Sequence, residues 1–198
     1  MTLPRVQPII PTWRKEPFDD PDWLFDFKYD GFRFISISRN GNLLSRFEAL
    51  GEQLAAVLDV DEAIIDGEVI VVDETGRPQF YEFLRGTRTP RYVAFDILWL
   101  NGTDLRALPL TERPKNLQGI VSKGSPAVSE ALPVEGRGRE LFELMCANDL
   151  EGIVAKRLAD PYASRVRWLK IKNPDYSQKE GGVTCSTGRG SGTARTAG

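Results

Sequence analysis

From Trp23 onward apolar and polar positions alternate: Phe25 and Phe27 take turns with Asp26 and Lys28, and Phe32, Phe34 and Ile37 follow. A period of two predicts strands. Before it, Met1–Pro21 is punctuated by Pro4, Pro8, Pro11, Pro17 and Pro21 and predicts an irregular lead-in. At Ala49–Leu58 the period changes, with Leu50, Leu54, Val57 and Leu58 at helical spacing. Ala63–Val72 is an apolar, β-branched run broken only by Asp66-Gly67-Glu68, which predicts strands around a bend. Tyr92–Leu100 predicts a buried strand closed by the turn pair Asn101-Gly102. Thr111 is placed to cap a helix running to about Ile120, with Glu112 in its first turn. Glu140–Ala147 predicts a helix whose broad apolar face holds Leu141, Phe142, Leu144 and Met145. Glu151–Arg157 and Arg167–Lys172 predict two more strands. Strands and helices do not alternate regularly, so the expected class is α+β, with antiparallel sheets and flanking helices.

The pattern ends before the chain does. Gly181–Gly198 is mostly Gly, Ser, Thr and Ala with two arginines, too polar to offset its ordering entropy. The expected division is a folded domain over residues 1–178 and a disordered tail over 179–198. Within 198 residues a single domain can bury roughly 70% of its unfolded surface. The net charge is -2, from 26 basic and 28 acidic residues, which argues against coating nucleic acid by bulk charge but allows a local basic groove.

One absence narrows the chemistry. The chain has no histidine, so a Ser-His-Asp triad, a His general base and a His-ligated zinc site are excluded. Catalysis must rest on Lys, Arg, Asp, Glu or a bound metal. Cys146 and Cys185 lack CxxC spacing and read as free thiols, which suits a reducing cytoplasm. Met1–Ile10 has no apolar signal-peptide core, and no apolar run approaches membrane-spanning length. The expected location is the cytoplasm, away from membranes.

Candidate chemistry falls in five segments: Lys28-Tyr29-Asp30-Gly31 with Arg33; Asp66-Gly67-Glu68; Phe95-Asp96; Glu151–Lys156; and Trp168–Lys172. Each has an ordinary reading. Lys28 could precede an exposed Asp-Gly turn, and Asp66-Gly67-Glu68 could be a hairpin turn. Against the second stands its position, since charge inside an apolar run is costly without a partner. Phe95 is by default a core residue. Glu151 and Lys156 could form a surface ion pair. Lys170 and Lys172 alternate with Leu169 and Ile171 and so face one side of a strand, where either a solvated edge or an opposing phosphate would suit them.

Taken together and in this order, the five segments resemble the nucleotidyltransferase motifs of ATP-dependent DNA ligases, a superfamily that includes RNA ligases and capping enzymes. The supporting stretches are Phe27–Arg33, Ser38-Arg39-Asn40-Gly41, Ile65-Asp66-Gly67-Glu68 and Trp168–Lys172, within a likeness running from Pro17 to Ser177. The likeness is to bacterial ligases, including the ligase domains of non-homologous end-joining proteins. It implies antiparallel sheets around an ATP cleft, an ATP-grasp-like arrangement, with nothing in the chain that reads as the OB-fold that usually follows. It implies that Lys28 becomes covalently adenylylated and that Lys170 and Lys172 clamp the α-phosphate. Arg33, Glu68, Phe95 and Lys156 would bind the cofactor, Phe95 by stacking on adenine. Glu68 and Glu151 would hold Mg2+ or Mn2+. Arg39 or Arg46 would meet nucleic-acid phosphate. The implied partners are ATP and nicked double-stranded DNA, with an OB-fold or end-joining protein supplied separately and the chain itself a monomer.

Elementary chemistry asks for the same set. A free lysine has a pKa of about 10.4, so only about one in a thousand is a neutral nucleophile near pH 7. Neighbouring cations disfavour the ammonium form and also stabilise charge on phosphoryl oxygens during in-line displacement. Carboxylates such as Glu68 and Glu151 are hard oxygen ligands suited to magnesium. Two rivals remain open. One is an RNA ligase or capping-type enzyme, the other a catalytically weak nick-binding module.

Overall fold

The computed structural model describes residues 3–38, 48–58, 60–117, 120 and 126–178, and every structural statement below concerns these. Arg39, Arg46 and the segment expected to be a disordered tail lie outside them.

The strands form two five-stranded sheets. In the first, β1 (Thr12–Trp13), β10 (Leu169–Lys172), β9 (Gly152–Arg157), β2 (Asp20–Phe27) and β8 (Val134–Gly136) lie in that order. In the second, β3 (Phe32–Ser38), β4 (Ala63–Ile70), β5 (Arg91–Leu100) and β6 (Thr103–Asp104) follow one another, and β7 (Val128–Glu130) lies beside β5. Most pairings are antiparallel, as expected for an α+β fold. Two short ones, β1 with β10 and β5 with β7, are parallel.

Three helices flank the sheets: α1 (Glu48–Val57), α2 (Phe80–Arg85) and α3 (Gly138–Ala147). Helical spacing in α1 presents Leu50 and Leu54 to the second sheet, where they meet Ile65, Val69 and Tyr92. α3 turns Leu141 and Met145 onto Trp23, Phe25, Ile153 and Ile171 of the first sheet. Burying each such side chain contributes roughly 1.5–3 kcal/mol. The apolar face of α3 is narrower than the sequence suggested, because Leu144 is half exposed. A third cluster joins the sheets: Ile64, Leu98 and Trp99 of the second pack on Ile9, Tyr162 and Trp168.

Several expected elements differ. The bend at Asp66-Gly67-Glu68 is absent, and Ala63–Ile70 runs as one strand. Its charges are tolerated in line because Asp66 finds a guanidinium, and the irregularity is taken up by register shifts against β5. Gly67 keeps the strand close to its neighbour, since a Cβ there would sit 2.4 Å from the Tyr92 ring. The helix expected from Thr111 is instead a turn followed by one 3-10 turn, Pro114–Asn116. Arg113 is drawn inward to pair with Asp96, which competes with helical continuation. The lead-in is not wholly irregular, because Thr12–Trp13 adds β1 beside β10 and β2 already starts at Asp20. The last strand begins at Leu169 rather than Arg167. The short elements α2, β7 and β8 carried no periodic signal.

Candidate active site

Strand register assembles the site. Lys28 is the first residue after β2, and its backbone N–H donates to the Gly152 carbonyl at 2.9 Å. Across the sheet Phe27 faces Ile153, and Gly152 faces Lys172. Lys28, Glu151 and Lys172 therefore meet at one end of three adjacent strands. Glu151 bridges both lysines, accepting from Lys28 Nζ at 2.6 Å on Oε2 and from Lys172 Nζ at 2.8 Å on Oε1. Gly152 makes this junction possible. Its φ of 138° suits glycine alone, and a Cβ would lie 2.1 Å from the Ile171 carbonyl oxygen.

Beside this junction opens a cleft of about 170 Å³ between the two sheets, lined by Lys28, Arg33, Glu68, Phe95, Lys156 and Lys170 together with Pro11, Asp26 and Trp168. Phe95 projects from β5 and meets the Trp168 ring edge-on, with centroids 6.0 Å apart. Lys156 lies against both rings, its Nζ 4.3 Å from the Phe95 centroid and 4.4 Å from that of Trp168. Such cation–π contacts gain strength where water is excluded. The same ammonium pairs with Asp26, and both residues are buried. The surface pair that an ordinary reading would allow between Glu151 and Lys156 does not form, and each is held in a separate pairing. Each removes a charge that would otherwise be stranded in the interior.

Lys170 is not on a solvated edge, because β10 lies between β9 and β1. Lys172, on the same strand face, remains about half exposed. Arg33 is turned largely inward. Its Nε and Nη2 donate to Asp66 at 3.0 and 2.5 Å, and Nη1 donates to the Ile9 carbonyl. Glu68 stands opposite Arg33 in the β3–β4 register and lines the cleft. Burial pushes its carboxyl up to about 7; Lys28 opposes that rise and the Glu151 charge adds to it.

That raised carboxyl bears on whether a metal fits. Among the described residues no three acidic, Cys or His side chains form a ligand cluster. Magnesium, however, is commonly held by one or two carboxylates plus substrate phosphates and water. Glu68 and Glu151 repel one another across the Lys28 end of the cleft, and a divalent cation there would offset that repulsion. The donor set fits such an ion.

Of the expected site residues, Lys28, Arg33, Glu68, Phe95, Lys156 and Lys170 line one cleft, and Glu151 and Lys172 are tied to it through Lys28. The sequence reading assigned no part to Pro11, Asp26, Trp168 or Tyr162. Asp26 carried a usable signal, being a charge inside an apolar strand, as Asp66 was. Pro11 and Tyr162 sit in irregular segments and carried none.

The model of the ATP-dependent DNA ligase domain family matches residues 12–172. The chain belongs to that family. It is 31% identical to the SPbeta prophage-derived DNA ligase-like protein LigB of Bacillus subtilis over 87% of its own length and 69% of that protein's. It is 35% identical to the multifunctional non-homologous end joining protein LigD of Mycolicibacterium smegmatis over 76% of its own length, which is only 21% of the relative. Among solved structures, mycobacterial DNA ligase D complexed with ATP and MES superposes with a TM-score of 0.68 at 24% identity, covering 83% of this chain and 59% of that one. Chlorella virus DNA ligase-adenylate gives 0.56 at 14% identity, covering 83% of this chain and 68% of that one. At these identities the structural likeness establishes the shared fold. This ligase-family domain thus has the α+β architecture expected of it. Among the described residues no helix is long and apolar enough to cross a membrane.

Proposed function

We propose that this chain is the catalytic domain of an ATP-dependent DNA ligase and that Lys28 carries AMP between ATP and DNA. The observation that supports this best is the junction in which one carboxylate, Glu151, holds Lys28 and Lys172 at 2.6 and 2.8 Å beside an aromatic-walled cleft. A nucleophilic amine, a second cation and a carboxylate within contact of one another are the parts that phosphoryl transfer needs.

In this reading adenine enters the cleft beside Phe95, whose half-buried ring supplies stacking. Lys170 and Lys172 offer positive charge to the α-phosphate. The Lys28 amine attacks the α-phosphorus, a phosphoamide N–P bond forms, and the bond to pyrophosphate breaks. Glu151 Oε2, in contact with Nζ, is placed to accept the proton that the amine sheds. A divalent cation held by Glu68 and Glu151 would neutralise developing charge on the phosphates when bound. The adenylate then passes from Lys28 to a 5′-phosphate at a nick. Attack by the adjacent 3′-hydroxyl forms the phosphodiester and releases AMP. Nicked duplex DNA is the proposed substrate, in repair or recombination. Arg33, which lines the cleft and is held in place by Asp66, is positioned beside the nucleotide.

Sealing assays test this reading. With ATP and magnesium the protein should join 5′-phosphate nicks in duplex DNA, and Lys28→Ala should join only nicks already carrying a 5′-adenylate. Sealing restricted to nicked RNA, or labelling by GTP at the ATP level, would move the assignment to the RNA ligase or capping branch.

A further inference from the structure

One phenol stands where the lead-in first meets the site. Tyr162, in the segment between β9 and β10, is buried and donates its hydroxyl to Asp66 Oδ2 at 2.6 Å. The phenol oxygen of Tyr162 in turn accepts from the Ile9 backbone N–H and from Arg33 Nη2, each at 3.3 Å. Arg33 in turn donates to the Ile9 carbonyl. Both polar groups of the Ile9 backbone therefore end on one buried node of Tyr162, Arg33 and Asp66. Two residues later Pro11 forms part of the cleft wall. Beyond it Thr12 and Arg14 donate backbone N–H groups to the carbonyls of Trp168 and Lys170 at 2.9 and 3.0 Å. The Tyr162 ring packs edge-on against Trp168, 5.8 Å between centroids. The strap thus runs from the node, past the nucleotide cleft, to the strand bearing both clamp lysines.

We infer that Tyr162 is a positioning residue that latches the Ile9–Trp13 strap as a wall of the nucleotide cleft and so sets the affinity for ATP. This rests on the proposed adenylylation at Lys28. Tyr162 itself lines no part of the cleft and touches no reacting atom. Its hydroxyl acts through Ile9 and Pro11. Burial and Asp66 both push its phenol upward, so the hydroxyl remains a neutral donor.

Tyr162→Phe removes the hydroxyl and keeps the ring against Trp168, so the fold should survive, as circular dichroism can verify. Two readouts follow. In the absence of nucleotide, amide hydrogen exchange over Ile9–Thr12 should speed up in the variant, because Ile9 N–H has lost its acceptor. In single-turnover self-adenylylation the half-saturating ATP concentration should rise about three- to tenfold, the scale of one lost hydrogen bond, while the maximal rate changes less. In the wild type, saturating ATP should slow exchange over the same residues. Unchanged exchange in the variant, an unchanged half-saturation, or wild-type exchange indifferent to ATP would each overturn the latch. A wild-type protein that never takes up AMP would overturn the ligase reading instead. Even then, nucleotide-free exchange in the two proteins would still decide whether Tyr162 holds the strap.

Discussion

Two sets of ion pairs sit within this small domain, and they are built differently. At the Lys28 end of the cleft, Glu151 is shared between two lysines, one of which is half exposed. Single contacts to flexible ammonium groups leave such charges free to exchange partners. Deeper in the second sheet, Arg33–Asp66 and Arg113–Asp96 are two-pronged guanidinium–carboxylate pairs, the second wholly buried with both contacts at 2.8 Å. Asp66 and Asp96 face each other across β4 and β5, and their partners approach from different segments. Arg113 Nη1 donates to both the Leu108 and Asp160 carbonyls. On the proposed function the Glu151 set gives way to phosphate and metal, whereas Arg113–Asp96 is framework. Function and stability should therefore separate between Glu151 and Arg113.

The largest effect expected from this contrast is on the framework. Arg113→Met leaves the Asp96 carboxylate buried without its partner and should cost about 3–5 kcal/mol of unfolding free energy, measured by denaturant titration. Adding Asp96→Leu should return much of that loss, because the cost lies in the unpaired charge rather than in the missing pair. A single variant within 1 kcal/mol of wild type would erase the distinction between the two sets.

Next comes the exchangeable set. Glu151→Gln should slow Lys28 adenylylation by about two to three orders of magnitude, the scale seen when one preorganised electrostatic group is lost. Gln keeps the shape of the side chain and both lysines stay open to water, so stability should fall by less than in Arg113→Met. Loss of folding in step with activity would place Glu151 among the framework residues.

Glu68 lies between the two sets and yields a pH-dependent prediction. Its folded carboxyl is raised from 4.5 to about 7, chiefly by burial, so the folded state holds a proton that the unfolded state releases between those values. Stability should consequently fall as pH rises through that window. At pH 8, without metal or nucleotide, Glu68→Gln should be more stable than wild type by on the order of 2–3 kcal/mol, while adenylylating poorly. Below pH 4.5 the difference should vanish. Thermal melts of both proteins across pH 4–8 check this, and parallel curves would remove the strain assigned to Glu68.

Much of this was legible beforehand because strand periodicity, charges within apolar runs and motif order are all local signals. Lys28, Glu68 and Phe95 could be read from such signals, as could α1, α3 and the long strands. What could not be read depends on distant partners. Lys156 was expected at the cofactor and lines the cleft, but nothing local reveals that its ammonium pairs with Asp26 of the neighbouring strand. Thr111 looked like a helix cap because Asp96, which draws Arg113 inward, is remote in sequence. Tyr162 and Pro11 gained their places from the way an irregular segment packs. The short β7 and β8 are defined by pairing alone.

The central claim is that Lys28 is the nucleophile at an ATP site. Intact-protein mass spectrometry after incubation with ATP and magnesium tests it most directly, followed by peptide mapping of the modified residue. The account predicts one AMP per chain, acid-labile as a phosphoamide, located on Lys28 and missing from Lys28→Ala. AMP attached to that variant at the wild-type level, or to any other residue, would contradict it.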